Sequence, residues 1–208
     1  MLSSVRQIVF LLAVIGVAVM AGCQLRRMNS DDSAVNFHSR DGLSYTRHIN
    51  GIEITVRFLS PRHLTNLAEA KMGRQLKAGE RDSLMRMNQS TLTFVMTLAP
   101  DNAEHASRDI VTQGIVSPPE FTERLTRLNF HMDEMISLRI GSTDIKPVLA
   151  SMENTGGLTS HRNIYLVFEN TGTAISKSDA LAFVFRDDLF GTGTSYFPFT
   201  GKIIGDGR

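Results

Sequence analysis

Asn50-Gly51 stands between two runs of alternating polarity, Leu43 to Ile49 and Ile52 to Phe58, and no other feature restricts the fold as strongly. A two-residue hairpin loop of type I′ needs positive φ at both central positions, which asparagine and glycine tolerate best. With that loop, Ile49 faces Ile52, Arg47 faces Ile54, Tyr45 faces Val56 and Leu43 faces Phe58, which gives one largely apolar face. The other face carries His48 with Glu53, Thr46 with Thr55 and Ser44 with Arg57. The pattern describes an antiparallel sheet with one side on a core and one side in water. Arg47 is the exception on the apolar side and is expected at its rim.

Past Phe58 the period changes. Ser60 is placed to cap a helix with Pro61 at its first position, and Leu64, Leu67 and Ala68 follow at helical spacing. A second helical stretch is expected from Glu80 to Met87, set apart by Gly79, so that 61–88 reads as a helical insertion between strands. Alternation returns from Thr91 to Leu98, with Leu92, Phe94, Met96 and Leu98 on one side. Ser117-Pro118-Pro119-Glu120 has the form of a capping box and opens a helix over 118–128. Further strands are expected at Met135 to Ile140, Lys146 to Met152, Asn163 to Phe168, Ala180 to Arg186 and Tyr196 to Phe199. The short repeat Glu153-Asn154-Thr155-Gly156 and Glu169-Asn170-Thr171-Gly172 reads as one turn used twice. Roughly seven or eight short strands with turns between them make the fold mainly β with helical insertions, and their spacing favours an immunoglobulin-like β-sandwich.

Composition excludes several functions. Lys+Arg 22 against Asp+Glu 21 shows no overall excess of positive charge, which argues against a nucleic-acid partner. A single cysteine excludes an internal disulfide and any multi-cysteine metal site. The six histidines, at 38, 48, 63, 105, 131 and 161, are spaced too widely for a helical metal pair. Neither G-x-S-x-G nor S-x-x-K occurs. No catalytic residue, metal ligand or cofactor is assigned from these patterns. His131-Met132-Asp133-Glu134 places an imidazole beside two carboxylates, but neighbours in sequence do not face each other on a helix or strand. The stretch Asp187 to Ser195 has the oxygen donors of a calcium loop without the regular acid spacing of one.

The N-terminus says where the chain resides. One charge, Arg6, precedes an apolar run from Ile8 to Ala21, and its 14 residues would cover only about 21 Å as a helix, against roughly 30 Å for a hydrocarbon core. Such a run is a secretory signal instead of a transmembrane helix. It ends in Val19-Met20-Ala21-Gly22-Cys23, which resembles the lipobox of bacterial lipoproteins, with Met20 where leucine is usual. The resemblance covers the first 23 residues. It implies that residues 1–22 are removed and that Cys23 is acylated and becomes the membrane anchor. Gln24 follows where the family's inner-membrane members carry aspartate, so the resemblance implies the outer membrane of a cell envelope. The polar segment 23–42 reads as the lipidated cysteine and a flexible tether spanning roughly 20–25 Å, and 43–208 as a single β-rich domain.

These features lead to the expectation of a non-enzymatic, outer-membrane-anchored lipoprotein that binds or scaffolds another envelope component, protein or glycan. The expected contact is the basic helical insertion, through Arg62, Lys71, Arg74, Lys77, Arg81 and Arg86. The alternative is a lipid-anchored hydrolase or metal-dependent carbohydrate-binding module using His131, Asp133, Asp187 or Asp188.

Overall fold

The computed structural model describes residues 35–36, 43–101, 108–156, 158–170, 180–201 and 204. These all belong to the unit Val35–Arg208. The signal segment, Cys23 and most of segment 23–42 lie outside the described residues. Strand β1 (Val35–Asn36) lies inside the segment read as tether. The hairpin then forms from β2 (Ser44–Ile49) and β3 (Ile52–Leu59) in the expected register, with Ile49 opposite Ile52, Arg47 opposite Ile54 and Tyr45 opposite Val56. Its turn has φ of 52° at Asn50 and 76° at Gly51, the two positive values that a type I′ loop requires.

Beyond β3 come helices α1 (Pro61–Met72) and α2 (Ala78–Gln89), and then strand β4 (Thr91–Pro100). Ser60 caps α1 as expected, its Oγ accepting from the His63 N–H at 3.2 Å. The glycine that ends α1 is Gly73, at φ 64°, and not Gly79, which sits inside the first turn of α2. Only Gly73 occupies a left-handed position, and that is the conformation for which a C-terminal cap selects glycine. A 3-10 turn (Ile110–Thr112) leads to α3 (Pro118–Phe130) and the single turn α4 (Met132–Met135). Six strands follow: β5 (Ile136–Ile140), β6 (Thr143–Ile145), β7 (Leu149–Met152), β8 (Arg162–Glu169), β9 (Ala180–Asp187) and β10 (Gly193–Thr200). The strand expected from Lys146 starts at Leu149, and Thr143–Ile145 is a separate strand that the alternation did not reveal.

The strands form two antiparallel sheets, ordered β1-β2-β3-β4-β8-β7 and β10-β9-β5-β6. From β3 onward this is the Greek-key order of an immunoglobulin sandwich. Strands β3, β4, β8 and β7 stand as A, B, E and D, and β5, β9 and β10 as C, F and G, with β6 as the additional C′. Strands β2 and β1 extend the first sheet beyond A. The inward positions of the two sheets meet in one core that includes Ile54, Val56, Leu98, Ile164 and Leu166.

Phe94 of β4 lies at the centre of this core, fully buried. Its ring centroid is 5.3 Å from Phe58, 5.8 Å from Phe168, 5.6 Å from Phe183 and 5.2 Å from Phe199, so it touches both sheets. Arg47, the polar exception on the apolar side of β2, places its guanidinium 5.7 Å from the Phe197 ring. Outside the core, Asp109 pairs with the buried Arg162 and caps the 3-10 turn by accepting from the Val111 N–H at 3.1 Å. That pair fixes β8 to the connection between the sheets.

Candidate functional site

The helical insertion leaves β3 at Leu59 and returns at Thr91, so it stands at the end of the sandwich opposite the Asn50-Gly51 turn. Its attachment is slight. In α1 only Pro61 and Thr65 are buried, and α2 has no buried residue. Thr65 Oγ1 donates to the Pro61 carbonyl at 2.8 Å and accepts from Asn88 Nδ2 at 3.3 Å. Asn170 fastens the end of α2, its side chain donating to the Gln89 carbonyl at 3.0 Å and its N–H to the Ser90 carbonyl at 3.1 Å.

The two helices hold each other mainly by polar contacts. Glu69 accepts from the Leu76 N–H at 2.8 Å and pairs with Arg81, which also donates to Asn66 Oδ1 at 2.7 Å. Arg74 binds Glu80 through two parallel contacts of 2.8 and 3.0 Å, and Glu80 also accepts from the Lys77 N–H at 2.9 Å. The Arg74 guanidinium and that N–H hold the Glu80 carboxyl down at about 2. Glu69 is likewise held below the usual carboxylate range, first by the Leu76 N–H and then by Arg81. Both carboxylates therefore stay charged at neutral pH and fix the bend between the helices.

This geometry divides the six basic residues named from the sequence. Arg74 and Arg81 are engaged in ion pairs within the insertion. Arg62, Lys71, Lys77 and Arg86 are exposed and have no ion-pair partner among the described residues. Beside these charges lies apolar surface. Leu67, Met72 and Met87 are 49%, 52% and 62% exposed. Met72, Leu76, Leu84 and Met87 line a shallow groove of about 500 Å³, together with Gly79 and the Arg74 and Glu80 pair. An amphipathic helix normally covers its apolar stripe against the core, whereas α2 covers Leu84 and Met85 only in part and leaves Met87 exposed.

The residues of the alternative reading are not brought together. His131 ends α3, and its Nδ1 lies 3.3 Å from Oε1 of Glu134, with both side chains about half exposed at the rim. Asp133 has no ion-pair partner among the described residues. Asp188 pairs with Arg127 at 2.7 Å. Asp187 is buried, and its carboxylate accepts from the N–H groups of Leu189 at 2.8 Å, Phe190 at 3.0 Å and Thr192 at 2.7 Å, and from Thr192 Oγ1 at 2.7 Å. Donors of its own loop fill the lone pairs that a calcium ion would need. Gly191 and Gly193, both at φ 70°, allow the chain to wrap around it. Arg124 braces the same loop, its guanidinium 4.8 Å from the Phe190 ring while it donates to the Gln113 carbonyl at 2.5 Å.

Sequence reasoning missed one group. His48, Glu53 and Asp101 meet near the Asn50-Gly51 turn, on the outer face of the first sheet. The hairpin pattern shows the first two as neighbours, whereas Asp101 arrives through the pairing of β3 with β4, which no local pattern reveals.

No family model matches the chain, and no curated protein matches it. Two solved structures are similar over most of its length. One is a novel protein of unknown function from Burkholderia pseudomallei, 12% identical, with a TM-score of 0.36 over 77% of this chain and 80% of that one. The other is a DUF4426 family protein from Pseudomonas aeruginosa, 8% identical, with a TM-score of 0.33 over 76% of this chain and 91% of that one.

Proposed function

We propose that the chain is a non-enzymatic lipoprotein, anchored in the outer membrane through Cys23, whose sandwich presents the α1 and α2 insertion to an acidic face of another envelope protein. The observation that carries this reading is a twelve-residue helix without one buried side chain, beside exposed methionines and four cations that have no ion-pair partner among the described residues. Isolated helices of that length are marginal in water, and a covering partner supplies the missing burial.

Capture of the tagged chain from mildly solubilised native membranes tests the reading. One envelope protein is expected to copurify in stoichiometric amount. Replacing Arg62, Lys71, Lys77 and Arg86 together by glutamine should lower its recovery at least tenfold and leave the unfolding midpoint nearly unchanged, because none of the four makes an ion pair within the described residues. Cys23→Ser should release the chain from membranes. Membrane retention of normally processed Cys23→Ser protein contradicts the anchor, and undiminished recovery with the four-residue variant contradicts the docking surface.

A further inference from the structure

The geometry points to a second site at the opposite end of the sandwich: we propose that His48, Glu53 and Asp101 bind a divalent transition-metal ion of the zinc class. Sheet register places the three donors. In a two-residue hairpin the residues flanking the turn form the hydrogen-bonded pair, so His48 and Glu53, one step further out, form the closely spaced pair with their side chains near each other. On the third strand Ala99 is the partner of Glu53. Asp101, two residues on, returns to the same face of the sheet, and its N–H donates to the Gly51 carbonyl at 2.9 Å. Three adjacent strands thus deliver one imidazole and two carboxylates to one point.

The donor atoms all lie within 4.8 Å of one another, and His48 Nδ1 is 2.5 Å from Asp101 Oδ1. Zinc bonds of about 2.0–2.2 Å in a tetrahedron separate neighbouring ligands by roughly 3.3 Å, which lies inside the range of 2.5 to 4.8 Å that these donors span. The donor set suits such an ion, since imidazole favours zinc and its neighbours in the first transition series and two carboxylates neutralise the dication. Glu53 has no ion-pair partner among the described residues, so one of the two carboxylates is not otherwise compensated. The backbone beneath is pinned as well, because Asn50 Nδ2 donates to the Gly191 carbonyl at 2.6 Å and holds the turn against the loop after β9. Three protein ligands leave a fourth position open toward solvent, the arrangement of sites that exchange a bound water for a ligand.

Zinc titration of the full chain in detergent micelles, by calorimetry and by competition with a chromophoric chelator, tests the proposal. The expected result is one Zn²⁺ per chain, with affinity falling at least tenfold in Glu53→Gln and again in Asp101→Asn, while far-ultraviolet dichroism stays unchanged. His131→Gln, which alters the other imidazole and carboxylate pair, should leave binding as it is. Three results overturn the proposal: no stoichiometric binding to the wild-type chain, binding that both carboxamide variants retain, or binding that disappears with His131 instead.

Discussion

Phe94→Ala is expected to destabilise the sandwich by about 3–5 kcal/mol, enough to leave a domain of ordinary stability marginal or unfolded at room temperature. The ring is fully buried and packs against four other phenylalanines from both sheets. Removing it therefore opens a cavity where the sheets meet, and the close packing of the other phenylalanines around it lets that cavity collapse only in part. Edge-to-face contacts add to the loss beyond the area uncovered. Phe94→Leu should recover more than half of the difference, since it restores most of the volume without the ring geometry. Urea denaturation of the three chains checks this. An alanine variant within about 1 kcal/mol of wild type would mean that the two sheets do not share this core.

The second large effect is expected at Asp187. Its carboxylate accepts from three backbone N–H groups and one hydroxyl, and hydrogen bonds to a charged acceptor are each worth roughly 1.5–3 kcal/mol. The loop can turn some of those donors to water once the acceptor has gone, so Asp187→Ala should cost about 3 kcal/mol in total. Asp187→Asn keeps one oxygen acceptor and should fall between the two. The same measurement made with millimolar calcium separates this account from a calcium loop. Here the ion should leave the midpoint of the wild-type chain where it is, whereas a calcium loop would be stabilised by its ligand.

How far the sequence was legible depended on how local each signal is. Asn50-Gly51 fixed the hairpin register to the residue because turn and alternation lie within sixteen positions. Ser60-Pro61 marked the start of α1 for the same reason. Gly79, read as the break before the second helix, lies inside the first turn of α2, because composition shows where glycines are and not which one takes positive φ, and that one is Gly73. Strand order lay beyond local pattern altogether. That β4 pairs with β8 while β5 crosses to the other sheet depends on which apolar faces meet in three dimensions. The candidate site divided along the same line. Basic residues of the insertion were visible as a group, but the pairing of Arg81 with Glu69, twelve positions apart, and of Arg74 with Glu80 appears only once the two helices are folded back on each other. His48 and Asp101, 53 positions apart, share no sequence pattern.

The sandwich therefore separates two surfaces along its strands. At one end the hairpin turn, Asp101 and the loop after β9 are tied together by backbone and side-chain hydrogen bonds. At the other, α1 and α2 project with little burial, and their cohesion depends on Glu69 and Glu80. A scaffold of this kind gives a rigid platform to a weakly attached element, which can gain order when a partner covers it.

Photo-crosslinking in native membranes tests the proposed docking surface directly. A photoreactive residue placed at Met87 or Met72, on the exposed edge of the groove, should yield one discrete adduct with a single envelope protein. The same residue at Tyr165 or Tyr196, which are comparably exposed at 41% and 42% on the strands, should yield none. Adducts of equal strength from the tyrosine positions, or none from Met87 and Met72 while the chain remains membrane-bound, would contradict a partner seated on the helical insertion.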